Sequence, residues 1–143
     1  MVAANPTSVS IADNEGRTPL HIASRTSDPG IVKFLVEKSK ASLNISDSQG
    51  NFALHHACVE GSCDVVNYIL TQSTQGVSMH NSDGKLPIEL LLYEVGSYIF
   101  DKNDNQWHRY MEFGQKYRDT QEYVEAVYHL LRAYPDALKE LAE

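Results

Sequence analysis

The sequence lacks the features of a membrane, secreted or nucleic-acid-binding protein. No apolar run approaches the ~20 residues needed to cross a bilayer, so we predict no membrane partner. Lysine and arginine total 12 against 19 acidic residues, a net charge of −7 that disfavours binding to nucleic acid. Only two cysteines occur, Cys58 and Cys63, and we interpret them as small buried hydrophobes of a reducing compartment. We therefore expect a cytoplasmic protein, with a nuclear location as the alternative.

The motifs of common enzymes are also missing. The sequence has no Gly-x-Ser-x-Gly, no phosphate loop and no zinc-protease motif, so we expect no catalytic residues, no enzyme activity and no cofactor. His55-His56-x-Cys58 would place two metal-ligating side chains on one helical face. Because no second ligand pair lies at a zinc spacing, we predict no metal site.

What the sequence does contain is an internal repeat of 34 residues. A short turn-forming segment with glycine in its fourth place occurs three times, and Gly16, Gly50 and Gly84 mark it. Alternating apolar residues precede each turn, and two apolar runs at helical spacing follow the first two turns. This order predicts an extended arm, a tip and two short helices per unit. Because neither helix can bury its apolar face alone, the units must stack on one another.

The repeated pattern resembles the ankyrin repeat. Thr18-Pro19-Leu20-His21 matches the family's helix-start motif, the second unit keeps Leu54-His55, and the third keeps Pro87 but has Glu89 in place of histidine. The resemblance implies an all-α ankyrin-repeat solenoid of about three helix-turn-helix units with β-hairpin-like tips. It also implies hydrogen bonds of the threonine and histidine that tie tips to helices. Since only Thr18 and His21 preserve that pair, we expect the other two units to be held more by packing.

The third unit carries an insertion before its second helix. We expect a single domain, 1–143, with units at about 13–46, 47–80 and 81–138 and the insertion at 97–120. The delayed second helix is predicted within 120–138, and Pro135 ends it. The residues predicted on its apolar face are Val124, Val127, Tyr128 and Leu131.

The insertion is rich in aromatic residues. It holds six of the chain's 13 aromatic side chains: Tyr98, Phe100, Trp107, Tyr110, Phe113 and Tyr117. Helical spacing would place Trp107, Tyr110 and Met111 on one face of a short helix. Two interpretations remain open: the rings anchor a partner protein, or they fold back and cover the end of the stack.

A partial calcium-loop pattern lies inside the insertion. Asp101, Asn103, Asn105 and Glu112 occupy ligand places of an EF-hand loop. However, Gln106 stands where that loop needs glycine, and Arg109 adds a positive charge beside the would-be ion. We therefore predict a polar turn followed by a helix, and no calcium site.

The family resemblance implies a binding face made of the tips and the first helices. We predict a non-catalytic protein–protein interaction module, a scaffold or adaptor, and its acidic balance favours a partner with a basic or mixed surface. The alternative is a structural or regulatory segment of a larger multidomain protein, such as an enzyme with its active site elsewhere. We expect the chain to be monomeric or part of a longer repeat array. The predicted contacts are Asn14, Glu15, Arg17, Arg25, Ser48, Gln49, Asn51, Val59, Glu60, Ser82, Asp83, Lys85, Tyr93, Trp107 and Tyr110.

Overall fold

Helices make up nearly all of the regular structure in the described part of the chain. The computed structural model describes residues 10–26, 28–95, 98–101, 106–109 and 121–142. The α-helices are α1 (Pro19–Ser24), α2 (Pro29–Lys38), α3 (Ala53–Glu60), α4 (Cys63–Gln72), α5 (Pro87–Val95), α6 (Gln121–Ala133) and α7 (Ala137–Ala142). Two 3₁₀ helices, Lys40–Asn44 and Gln75–Ser78, and two strands, β1 (Tyr98–Asp101) and β2 (Gln106–Arg109), complete the described elements.

Local sequence fixes where these short helices begin and end. The Asp28 side chain accepts the Gly30 N–H at 2.9 Å and caps α2, whose first residue is Pro29. A proline at that place loses nothing, because the first N–H groups of a helix have no intrahelical acceptor. Helix α3 ends at Gly61, where φ is +68°. Glycine adopts that left-handed conformation without the cost that a Cβ would bring.

The helices form two layers. The first helices of the units pack in the order α1, α3, α5, and the second helices pack in the order α2, α4, α6. Within units one and two, α1 packs on α2 and α3 packs on α4. One continuous apolar core lies between the layers, and its fully buried residues include Leu20, Val66 and Leu91. The expectation of an all-α repeat stack is therefore confirmed.

Helix α6 takes the place of the third unit's second helix, as predicted, and Pro135 follows its last residue, Ala133, closely. The predicted buried face is partly wrong. Val124 and Tyr128 are 56% and 57% exposed, whereas Ala126 and Leu130 are buried. Helix α6 packs on α4, and the neighbouring stripe that carries Ala126 and Leu130 belongs to the buried core.

The inserted segment contains a pair of antiparallel strands. β1 pairs with β2 in the register Tyr98 to Arg109 and Phe100 to Trp107. The prediction of a helix carrying Trp107 is therefore wrong, because residues 106–109 are extended. Tyr110 and Met111, and the calcium-loop positions Asn103, Asn105 and Glu112, lie outside the described residues.

Candidate binding face

Each tip is a closed turn that its own first residue holds. In tip 1 (13–17), Asp13 Oδ1 accepts the N–H groups of Glu15 and Arg17, each at 2.9 Å. The Asp13 N–H donates to the Arg17 carbonyl at 2.9 Å, and the Gly16 N–H donates to the Asp13 carbonyl at 3.0 Å. Tip 2 (47–51) and tip 3 (81–85) repeat all four bonds, with Asp47 and Asn81 as the first residue.

Neighbouring tips are joined by backbone hydrogen bonds. The Ser48 N–H donates to the Glu15 carbonyl at 2.9 Å, and the Ser82 N–H donates to the Gln49 carbonyl at 2.8 Å. The tips approach so closely that a Cβ at Gly16 or Gly50 would lie 3.0 Å from the next tip's backbone nitrogen. Both glycines have φ near +73°, so glycine is needed at these places both for the positive φ and because a Cβ would crowd the next tip. The side chains at the second and third places of each tip take no part in this ladder and are exposed, although Glu15 also pairs with Arg17 at 3.1 Å.

Histidine side chains tie helices α1 and α3 to the backbone in or just before the next tip. His21 Nδ1 accepts the Thr18 N–H at 2.9 Å, and its Nε2 lies 3.0 Å from the Asn51 carbonyl. His55 Nδ1 likewise accepts the Phe52 N–H at 3.1 Å, and its Nε2 lies 2.8 Å from the Met79 carbonyl. Each ring thus accepts at Nδ1 and donates at Nε2, which is the pattern of a neutral imidazole.

The threonine–histidine pair occurs in the first unit alone, as expected, with Thr18 Oγ1 2.9 Å from His21 Nδ1, but the second unit keeps the other bonds of this network. His55 forms these bonds without a threonine, because its Nδ1 accepts a backbone N–H and needs no hydroxyl donor. In unit three Glu89 Oε2 takes the place of the ring nitrogen and accepts the Leu86 N–H at 2.7 Å. A carboxylate has no proton to donate onward, so the third unit presents an acceptor where the first two present a donor.

Burial reinforces the neutral form of both rings. Both histidines have no exposed surface, and burial lowers the pKa of His21 and lowers that of His55 to about 4. The neighbouring carbonyl acceptors favour the protonated ring, but their effect is smaller than that of burial.

A second histidine contact anchors tip 2 to helix α3. His56 Nε2 lies 2.8 Å from Asp47 Oδ2, and the His56 and His21 rings meet edge to face with centroids 5.4 Å apart. Burial of Asp47 opposes its ionisation, yet the N–H donors of Asn51 and Gln49 and the His56 ring outweigh burial and lower its pKa. The anchored Asp47 in turn fixes the geometry of tip 2.

The predicted contact residues divide into framework residues, which help to hold the tips together, and display residues, which are exposed to a partner. Asn51 belongs to the framework, since its carbonyl accepts from His21 and its Oδ1 accepts the Asn81 side-chain amide at 2.9 Å. Arg17 is held by Asp13 and Glu15 at 3.0 and 3.1 Å. The exposed predicted residues are Asn14, Glu15, Arg25, Ser48, Gln49, Val59, Glu60, Ser82, Asp83 and Lys85. Tyr93 lies on α5 and Trp107 on β2, with side chains outside the described set, and Tyr110 lies outside it altogether.

Sequence reasoning missed the apolar part of this surface. Ile22 on α1 is 51% exposed and lines a shallow open groove with Arg17, Arg25 and Glu60. Arg25 Nε and Glu60 Oε1 bridge α1 and α3 across this groove at 3.3 Å. The 34-residue repeat could have indicated that Ile22 belongs to this surface, because Ile22 occupies in unit one the place that His56 occupies in unit two. We call the surface formed by tips 1–3 and the outward sides of α1, α3 and α5 the inner face.

The described residues offer little for metal or nucleophilic chemistry. Within that part of the chain, no group of three or more His, Cys, Asp or Glu side chains could hold a metal ion. The ring nitrogens of His55 are both engaged, and Cys58 is a free, buried cysteine whose thiol pKa is raised by burial. A buried thiol of raised pKa is a poor nucleophile. None of the described helices has the length and apolar character needed to cross a bilayer.

Comparison with known proteins agrees with the geometry of the tips and paired helices. A family model described as ankyrin repeats (3 copies) matches residues 2–83. No curated protein sequence matches the chain. The matched residues make up more than half of the 143-residue chain, and the protein therefore belongs to the ankyrin repeat family.

Proposed function

We propose that this protein is a non-catalytic recognition module that binds a partner protein through its inner face. Ankyrin repeats are generally protein–protein interaction modules. The single observation that carries the proposal is the groove between α1 and α3, where a half-exposed isoleucine lies beside a salt-bridged Arg25 and Glu60. Exposed apolar surface rimmed by charged side chains is typical of protein interfaces.

The charges around the groove favour a partner of mixed polarity. Arg25 and Glu60 are bonded to each other at 3.3 Å and are both exposed, so each can exchange its present partner for an opposite charge on another protein. Such rim charges contribute more to the rate of association and to specificity than to affinity. The apolar contribution would come from Ile22 and from Val59 further along α3.

The construction of the tips supports the same proposal. The side chains that hold each tip are those of Asp13, Asp47 and Asn81, whereas the junctions between tips use only the backbone of second and third residues. Contact residues can therefore meet a partner without any rearrangement of the fold. A preformed surface of this kind loses little conformational entropy on binding.

The test compares substitutions on the inner face with one on the outer layer. Ile22→Glu and Val59→Glu change exposed helical positions, so we expect thermal melting close to that of the wild type. A partner is first captured from a matching cell extract and identified, and it is then titrated in purified form by calorimetry. We expect each substitution to weaken that binding by about tenfold or more, as for a contact near an interface centre.

Val124→Glu is the matched control, because Val124 is at least as exposed as Ile22 and lies on α6 of the second layer. It should bind as the wild type does. Wild-type affinity in both inner-face variants, or equal losses in all three variants, would show that the partner binds elsewhere.

A further inference from the structure

We propose that the protein associates head to tail, with tip 1 of one copy docking on tip 3 of another. This inference goes beyond partner recognition by the inner face, because it concerns the two ends of the stack. It starts from a difference between tip 3 and the other two tips. Among the described residues, a Cβ at Gly84 would have nothing within 4 Å, although Gly84 has the same φ, +73°, as Gly50.

Tip 3 therefore has the backbone conformation of the internal tips, but no further tip packs against its outer edge in the described part of the chain. In the two internal junctions the carbonyls of Glu15 and Gln49 accept an N–H from the following tip. The equivalent carbonyl of tip 3 belongs to Asp83, and it accepts no hydrogen bond in the described part of the chain. At the opposite end the equivalent donor is the Asn14 N–H, which likewise has no acceptor among the described residues. One copy thus carries both the acceptor and the donor of a third junction.

The side chains at this third junction are complementary in charge. In the internal junction Asn81, the first residue of tip 3, donates to Asn51, the fifth residue of tip 2, at 2.9 Å. The corresponding residues in the head-to-tail junction are Asp13 and Lys85. Lys85 is exposed, and its Nζ lies 3.8 Å from Glu89, so it is only weakly engaged at present.

The second helices at the two ends expose apolar side chains as well. Ile31 on α2 is 47% exposed, whereas Val65, which occupies the same place on α4, is fully buried beneath unit one. At the other end α6 exposes Val124 and Tyr128. Docking a second copy in repeat register would bring α2 of that copy onto α6. An interface between two different surfaces leaves one of each free on every dimer, so association continues beyond the dimer.

The test removes one N–H without disturbing its turn. Asn14 is the second residue of a turn closed by the Gly16 N–H and the Asp13 carbonyl, a place that favours proline. Asn14→Pro deletes the proposed donor, and Asn14→Ala, the matched control, keeps it. Average mass is measured by sedimentation velocity over a roughly hundredfold range of wild-type and variant concentration. We expect the mass of the wild type and of Asn14→Ala to rise without a plateau at the dimer, and that of Asn14→Pro to stay at the monomer.

A mixing experiment distinguishes this arrangement from a symmetric dimer. Lys85→Glu places a negative charge on tip 3 opposite Asp13 of the docking copy, so we expect this variant alone to be monomeric. Because Asn14→Pro keeps an intact tip 3 and Lys85→Glu keeps an intact tip 1, their mixture should form a dimer of one copy each and nothing larger. Lys40→Glu, an equal charge change at an exposed lysine outside the tips, should associate as the wild type does.

Three outcomes would overturn the proposal. One is a wild-type chain that stays monomeric throughout the concentration range, which would mean that another segment or protein covers the edge of tip 3. Another is association of Asn14→Pro equal to that of Asn14→Ala when both variants melt alike. The third is a mixture of the two edge variants that forms no dimer.

Discussion

Mild acid should destabilise this protein through His55. The folded protein holds the His55 ring neutral, and burial lowers its pKa from the ordinary 6.5 to about 4. The unfolded chain therefore binds a proton at a higher pH than the folded protein does. Stability is complete above pH 6.5 and falls as the pH drops toward 4, by about 3 kcal/mol in all, of which about 2 kcal/mol is lost by pH 5. His21 contributes in the same direction.

The assay is urea unfolding followed by circular dichroism at several pH values between 7 and 5. This window isolates the histidines, because the lowered pKa values of Asp13 and Asp47 cost stability only as the pH falls below about 4. The matched variant is His55→Gln, whose amide can accept the Phe52 N–H and donate to the Met79 carbonyl but does not titrate. We expect it to be less stable than the wild type at pH 7 and to lose about 2 kcal/mol less on going to pH 5.

Two results would refute this reasoning. Equal wild-type stability at pH 7 and pH 5 would mean that the folded protein protonates the His55 ring as readily as the unfolded chain does, so that neither burial nor the loss of the bond to the Phe52 N–H opposes protonation. An unchanged pH dependence in His55→Gln would assign the acid sensitivity to other groups.

Two further pairs of substitutions test the packing of the stack. In thermal melts, Gly50→Ala should destabilise the protein more than Gly84→Ala does. Both substitutions cost about 1 kcal/mol because of the positive φ, but a Cβ at position 50 would also lie 3.0 Å from the neighbouring tip. Equal losses of stability would mean that the tips separate easily. Leu130→Ala should cost about 2–5 kcal/mol in urea unfolding, because Leu130 is buried between α6 and the core. Tyr128→Ala, at an exposed place on the same helix, should change little, and a reversal of this order would place the other face of α6 inward.

The repeat was predictable because its tips make demands that few residues meet. A turn with positive φ needs glycine, and Gly16, Gly50 and Gly84 all have it. The delayed second helix of unit three was predictable too, because units one and two had already set the pattern that it completes. Local requirements of this kind are visible in a single sequence.

Other features depended on distances that the sequence does not contain. The equivalence of a histidine ring and the Glu89 carboxylate as acceptors for a backbone N–H appears only when both are seen at about 3 Å. On α6, two adjacent stripes have helical spacing, and only the packing against the rest of the stack shows that Ala126 is buried and Val124 is exposed. Trp107 was assigned to a helix by its spacing, whereas strand pairing with Phe100 places it in β2.

Because different residues of each tip hold the turn and face the solvent, some tip positions tolerate substitution better than others. The first and fourth residues of a tip carry its geometry, whereas the side chains of residues 14 and 15, 48 and 49, and 82 and 83 take no part in closing the tips or in joining one tip to the next. Side chains at these six places can be exchanged in combination with almost no effect on the free energy of unfolding. A library of variants at these positions should therefore fold as the wild type does, and variants that bind a new ligand could be selected without compensating substitutions elsewhere.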